Sequence, residues 1–295
     1  MFGRYRKYFY RINRRLGKML LVKESLEIEL RDSIIAQIDT SVSLKEDPSV
    51  NDEAKVHELR KAVKRSRALL KLLKPALDDT SYYTMDEILG NSARLLTDQR
   101  EATVNLRTFI NLTTNRKDIL STELRNTVLK GLTEQINQSY NLGQTNFSNQ
   151  LQNSIVSLIA AKEKILNLPL NAINEKNLSV LMRKTYQKAA RLFHDARFSF
   201  DTEIIHKWRK YSKHLLFQLK LSPLRNGMMM QQFVRLLERL SDQLGDEHDL
   251  AVLENYLLNT FDLTKEYQQQ IHLIVAKERM RLQNEAFKLG AKLFA

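Results

Sequence analysis

Not one cysteine occurs in the chain, which excludes disulfides, thiolate metal sites and cysteine nucleophiles together. Proline and glycine are scarce, at 4 and 8 residues, too few for the turns that a β-sandwich needs. Leu, Lys, Glu, Gln and Asn dominate instead, a composition suited to long helices. No segment approaches the ~20 apolar residues required to span a bilayer. The opening MFGRYRKYFYRINRRLGKML is not a secretory signal, because Arg11, Arg14 and Arg15 interrupt its apolar run. A cytoplasmic protein is expected. A Gly-rich phosphate loop of the G-x-x-x-x-G-K type is also missing.

Acidic residues are missing from two stretches in particular. None lies between Leu59 and Leu77, and none between His206 and Leu224. Both read as helices. At ~100° per residue, Arg60, Lys61, Lys64 and Lys71 share the face of His57. In the second stretch His206, Arg209, Lys210, Lys213 and Lys220 repeat the offsets 0, 3, 4, 7 and 14. The opposite faces are apolar: Val56, Leu59, Val63, Leu70 and Leu73 in one, Ile205, Trp208, Leu215 and Leu219 in the other. Most charge runs are solvated surface, but a solvated helix intersperses Glu with Lys. Like charges at these spacings repel by roughly 0.2–0.5 kcal/mol per pair. Repeating that cost in register points to an external anion that offsets it.

The net charge of +13 is shared by both halves, +6 up to residue 150 and +7 beyond it. Its partner is a polyanion: nucleic acid, membrane surface or polyphosphate. The basic arm of residues 1–19 adds phosphate contacts, lies on an anionic membrane through Phe9, Tyr10 and Leu16, or leads as a helix into the first bundle. The sequence leaves these three open.

Apolar periodicity predicts helices over Leu20–Val42, the first basic stretch, Tyr82–Leu112 and about Leu120–Leu142. It then predicts Ile155–Leu166, Asn177–Phe200, the second basic stretch, Asn226–Leu244 running on into GDEHDLAVLENYL, and Thr264–Lys292. The Asn, Gln and Ser-rich segment Asn141–Asn153 is the expected joint. Leu96–Val104 aligns with Leu244–Val252 at an offset of 148, against 149 for His57 and His206. Two anchors at nearly one spacing mean an internal duplication. The expected fold is all-α: two pseudo-symmetric antiparallel four-helix bundles, residues 20–146 and 147–295, around a basic central pore or groove.

These stretches resemble the CHAD domain, the conserved histidine α-helical domain. The resemblance is carried by V-H-E-L-R-K-x-x-K-R with R-x-L-L-K-L, by R-E-A-T-V, by I-H-K-W-R-K-x-x-K-H-L-L-F-Q-L and by L-G-D-E-H-D-L-A-V-L, in the family's order from about Leu20 onward. It implies basic helices lining a central pore that binds inorganic polyphosphate, with no catalytic activity. By position, the implied binding residues are His57, Arg60, Lys61, Lys64, Arg67 and Lys71, then Arg94 and Arg100, then Tyr186 and Arg191. His206, Arg209, Lys210, Lys213, His214, Lys220 and His248 complete them. Glu101 stands where the family usually has Asp, and His214 where the first copy has Arg65. Glu101 and Asp249 are expected to orient Arg or His neighbours.

Polyphosphate is a flexible chain with about one negative charge per phosphate. Its recognition is charge neutralisation, steeply weakened by salt as for nucleic acid. Lys supplies a point charge and Arg a planar fork. His supplies a directional donor that a polyanion pushes towards protonation. A dedicated metal site is disfavoured, since none of the six histidines forms an i,i+4 His pair. Asp246, Glu247, His248 and Asp249 are the only plausible ligand cluster. A phosphotransferase wants carboxylates holding Mg²⁺ among its cations, and both basic faces lack them. No cofactor is expected. Sequence-specific nucleic-acid readout would need aromatics or base-reading side chains on the basic faces. Trp208 lies on an apolar face, and Met228–Met230 read as core filler. Weak nucleic-acid binding in the same groove and association with polyphosphate granules are further expectations, as a monomer or homodimer.

Overall fold

The computed structural model describes residues 25–114, 120–141, 144–221 and 228–295. The basic arm and the start of the first expected helix lie outside the described residues, as do Ser222–Gly227. Ten α-helices and no strands are present among the described residues. They are α1 (Leu26–Ser43), α2 (Asp52–Leu73), α3 (Asp79–Arg94), α4 (Thr97–Thr114) and α5 (Thr122–Asn141), followed by α6 (Gln144–Asn167), α7 (Glu175–Ser199), α8 (Thr202–Leu221), α9 (Met228–Thr260) and α10 (Lys265–Phe294). Side chains that fold back on the backbone set many of the starts. Asn51, Asp78, Asn174 and Thr264 each accept the amide three residues on, at the heads of α2, α3, α7 and α10. Phe200, at φ 53°, closes α7 in the left-handed conformation before α8 begins.

Two four-helix bundles result. In the first, α1 packs on α2, α2 on α3, α3 on α6, and α6 back on α1. In the second, α7 packs on α8, α8 on α9, α9 on α10, and α10 on α7. The two bundles meet where α2 packs on α8, and one apolar core runs through both. The apolar faces read from the sequence supply that core: Val56, Leu59, Val63, Leu70, Leu73, Ile205, Trp208, Leu215 and Leu219 are all buried. Trp208 lies parallel to Phe287, with ring centroids 5.6 Å apart. Gly290 makes room for this packing, because a Cβ there would stand 2.6 Å from Phe193 Cδ2 and 2.9 Å from Trp208 Cζ2. A second apolar cluster joins the two halves, with α4 and α5 packing Phe109, Leu124 and Val128 against Leu253, Ile274 and Leu282 of α9 and α10.

Three expectations need correction. The single helix over Tyr82–Leu112 is two, broken at Leu95 and Leu96. There the amides of Leu95 and Leu96 reach Asn91 O and Ala93 O at 3.4 Å each, tightening the turn and ending α3. In the second half the matching region is unbroken within α9. The segment Asn141–Asn153 is helical from Gln144, because Phe147, Ile155 and Leu158 give it an apolar face to bury. Finally, α6 belongs to the first bundle. Ser154 Oγ donates to Ser92 O at 2.8 Å, and Lys162 Nζ pairs with Asp39 at 2.6 Å. The joint therefore falls after Asn167, not at residue 146. That connector is tied back onto the first bundle: Asn171 N donates to Ala76 O at 2.9 Å and Ile173 N to the buried Glu27 carboxylate at 3.1 Å.

A cationic pocket between the two basic helices

The apolar faces of α2 and α8 fix where their basic faces point. With Leu59 and Val63 in one core and Ile205 and Trp208 in the other, the intervening cations are left facing a shared pocket of about 300 Å³. Of the expected binding residues it is lined by Arg60, Lys64, Arg67, Arg94, His206, Arg209, Lys210, Lys213 and His214. The contact between the helices is direct. Gln218 Nε2 reaches Ala68 O at 3.5 Å, and Lys71 Nζ stands 3.4 Å from His214 Nε2.

These groups crowd one another. Lys64 is reached by solvent along the pocket but walled by protein on its other sides, and its ammonium is disfavoured by that enclosure and by Lys213, Arg209, Arg60 and Arg100. Its pKa falls to about 7. Burial and Arg209 bring Lys213 down to about 8, although Asp249, Asp242 and Asp246 pull the other way. Burial lowers Arg60, Arg209 and Arg100 as well. His214 and His248 are each pushed to about 3, by burial first and then by neighbouring cations. His57, His206 and Lys71 move down for the same reasons. The His206 and His248 Nδ1 atoms lie 3.1 Å apart, so one ring donates to the other and the pair holds together only while the accepting ring is neutral.

Two arginines at equivalent positions are satisfied differently. Arg60 donates to Ala93 O and, at 3.1 Å, to Thr97 Oγ1, so its guanidinium fills the break between α3 and α4. The unbroken α9 places Gly245 where the first half has Thr97. Arg209 accordingly has no such anchor, and its buried Nε has no hydrogen-bond partner among the described residues.

Arg67 lines the pocket already paired, and the remaining expected residues are placed elsewhere. Arg67 is gripped in a fork by Asp86, with both bonds at 2.7 Å, which lifts its pKa further. Lys61 pairs with Glu58 at 2.9 Å, and Lys220 pairs with Glu238. His57 and Arg100 flank the pocket, within electrostatic range of each other and of Arg107. Tyr186 is a core residue: it is 3 % exposed, its hydroxyl donates to Leu293 O at 3.0 Å, and its ring packs on Phe294. Its helix face is apolar, and that decides its position. Arg191 is exposed on α7, outside the pocket lining. Glu247, 2 % exposed, accepts from Arg279 and Gln283. No three of His, Asp and Glu converge among the described residues as a metal site would need.

Sequence reasoning missed Gly90, Thr97 and Phe217, which also line the pocket, and Arg107 beside it. Arg107 had a signal, since it follows Arg100 by two helical turns on α4. Gly90 had none. It lies at the lining because the guanidinia of Arg67 and Arg94 approach its Cα side, 3.6 and 3.9 Å from where a Cβ would stand.

The chain belongs to the CHAD-domain family, whose model matches residues 35–258. Its fold is shared with PptA from Streptomyces chartreusis at a TM-score of 0.61 and 14 % identity, over 90 % of this chain and 99 % of that one. It is shared equally with the CHAD domain from the plant Ricinus communis, at a TM-score of 0.62 and 16 % identity, over 92 % and 93 % of the two chains. No curated protein matches the chain in sequence. No described helix is long and apolar enough to cross a membrane.

Proposed function

We propose that this CHAD-domain protein binds inorganic polyphosphate along α2 and α8, and that the pocket holds the ligand without transforming it. The observation that carries this reading is the convergence of Lys64, Lys213, Arg60 and Arg209, whose charges disfavour one another in the absence of an anion. Crowding like charges into a partly enclosed pocket costs free energy that an opposite charge offsets. A phosphate chain supplies many such charges in a line. The cations of α2 extend from His57 to Lys71, a rise of about 21 Å at 1.5 Å per residue, and those of α8 match them. A single phosphate would leave most of that row unpaired. Asp86 and Glu238 neutralise Arg67 and Lys220, so the unpaired charge is concentrated in the middle of the row. Within a cell, such a protein would be cytoplasmic and collect on polyphosphate granules.

Competition calorimetry at two salt concentrations tests the proposal. Long-chain polyphosphate is expected to displace triphosphate, duplex DNA and single-stranded RNA, with a steep salt dependence. Lys64→Ala/Lys213→Ala should flatten that slope. Equal affinity for DNA or RNA, or no effect of the double substitution, would reduce the pocket to a general cationic surface.

A further inference from the structure

Lys64 differs from Lys61, Lys71, Lys213 and Lys220 in the company it keeps. Lys213 is offset by Asp249, Asp242 and Asp246, Lys71 by Asp86, Lys61 by Glu58 and Lys220 by Glu238. The charges that act most strongly on Lys64 are cationic: Arg60 on its own helix, Arg100 on α4, and Arg209 and Lys213 on α8. His248 of α9 is also in range. Lys64 forms no ion pair among the described residues and yet is open to solvent through the pocket, so a small reagent can reach it.

We infer that Lys64 is a site of covalent acylation, and that the reagent class it selects is the acyl phosphates, mixed anhydrides of a carboxylic acid and phosphoric acid. The pocket supplies both halves of that recognition. Arg209, with its unpartnered Nε, and Lys213 are placed to hold the phosphate, while Arg60 is kept in position by Ala93 O and Thr97. The neutral Nζ of Lys64 attacks the carbonyl carbon, forming the amide C–N bond. The bond from that carbon to the phosphate oxygen breaks, inorganic phosphate leaves with the electron pair, and the proton shed by nitrogen passes to phosphate or water. No oxidant or further reactant is needed. The product has lost the amine's charge at the centre of the row, so acylation would weaken whatever polyanion the row holds. This consequence extends the polyphosphate proposal into a means of regulating the same site, whereas the reaction itself requires only the anion pocket.

The test uses acetyl phosphate and the full chain at pH 7.5, with acetylated lysines quantified by peptide mass spectrometry over time. Lys207 and Lys277, both exposed, serve as references. An amine with a pKa of about 7 is mostly neutral at this pH whereas an ordinary lysine is about 0.1 % neutral, and even with its lower intrinsic nucleophilicity a gain of about tenfold or more is expected. Pyrophosphate should suppress labelling of Lys64 and leave the references unchanged. Arg209→Gln should lower the Lys64 rate without altering Lys207 or Lys277. Labelling at a uniform rate overturns the inference, and so does fast labelling that pyrophosphate fails to suppress. Long-chain polyphosphate is absent from the assay and its binding is measured separately by calorimetry, so a failure here is separable from a failure of polyphosphate binding.

Discussion

Arg60 and Arg209 stand at the same position of two matching basic helices, yet one guanidinium is tied to a helix break and the other has a buried Nε with no partner among the described residues. The sequence makes them equivalent, whereas the structure divides their labour. Arg60 contributes to the fold, and under the proposed function Arg209 is the one that meets the anion. Arg60→Met is expected to destabilise the protein by about 1–3 kcal/mol, since it removes the charge-assisted hydrogen bond to Ala93 O and the bond to Thr97 Oγ1. Arg209→Met should leave stability equal or higher and weaken polyphosphate by roughly 10–100-fold, the worth of a charge-assisted hydrogen bond. Denaturant unfolding and calorimetry on the two variants give the comparison. Equal losses of binding with unchanged stability in both would contradict the division.

The free protein should become more stable as the solution turns alkaline. Folded Lys64 and Lys213 hold their protons less tightly than the unfolded chain does, with pKa values near 7 and 8 against 10.5. The unfolded state therefore binds more protons across that window, and stability rises with pH through it. Thermal melting at pH 7 and pH 9 without ligand reads this directly, and Lys64→Met/Lys213→Met should flatten the rise. Saturating polyphosphate should flatten the trend, because the bound state then keeps the amines charged, as they are in the unfolded chain.

Acid should act through the buried histidines. His214 and His248 sit near 3, against 6.5 when unfolded, so the unfolded state binds more protons between those limits. Their contribution is present above pH 6.5 and is lost as the pH falls towards 3. His248→Gln is expected to shrink the loss in melting temperature between pH 7 and pH 5. A loss of the same size in wild type and variant would show that the His206 and His248 pair does not matter to it.

How far this fold was legible in the sequence depends on whether a feature lies within one helix or between two. The buried and cationic faces of α2 and α8 follow from spacing alone, because a helix fixes the direction of each side chain. The pairing of Arg67 with Asp86 and the capture of Ala93 O by Arg60 depend on how α3 crosses α2, and no local pattern records a crossing. Tyr186 shows the limit from another side. Its neighbours in sequence match a binding motif, but its own position on α7 points into the core. The break at Leu95 and Leu96 was hidden for a similar reason: both residues are apolar and helix-compatible, and no Gly or Pro marks the place. The joint was misplaced because Asn, Gln and Ser in α6 dress an exposed face while Phe147, Ile155 and Leu158 are buried.

Core geometry offers a test independent of charge. Gly290→Ala puts a methyl against Phe193 and Trp208, closer than 3 Å to ring atoms on both. Overpacking of this kind costs about 1–3 kcal/mol. The expected result is a lower melting temperature with changed fluorescence of Trp208, the single tryptophan of the chain. Wild-type stability would mean that α10 packs less closely on α7 and α8 than described.

If the pocket's charges are held down by one another until a polyanion arrives, binding must draw protons from solution. At pH 8 the amines of Lys64 and Lys213 are partly neutral in the free protein. A bound polyphosphate chain raises both, and an uptake of about one proton per site is expected. Calorimetric titration of long-chain polyphosphate in two buffers of different ionisation enthalpy measures this number directly. Uptake near one proton, abolished in Lys64→Ala/Lys213→Ala, is the predicted result. Tight binding with no proton uptake would contradict it, for the pocket's amines would then have been charged all along.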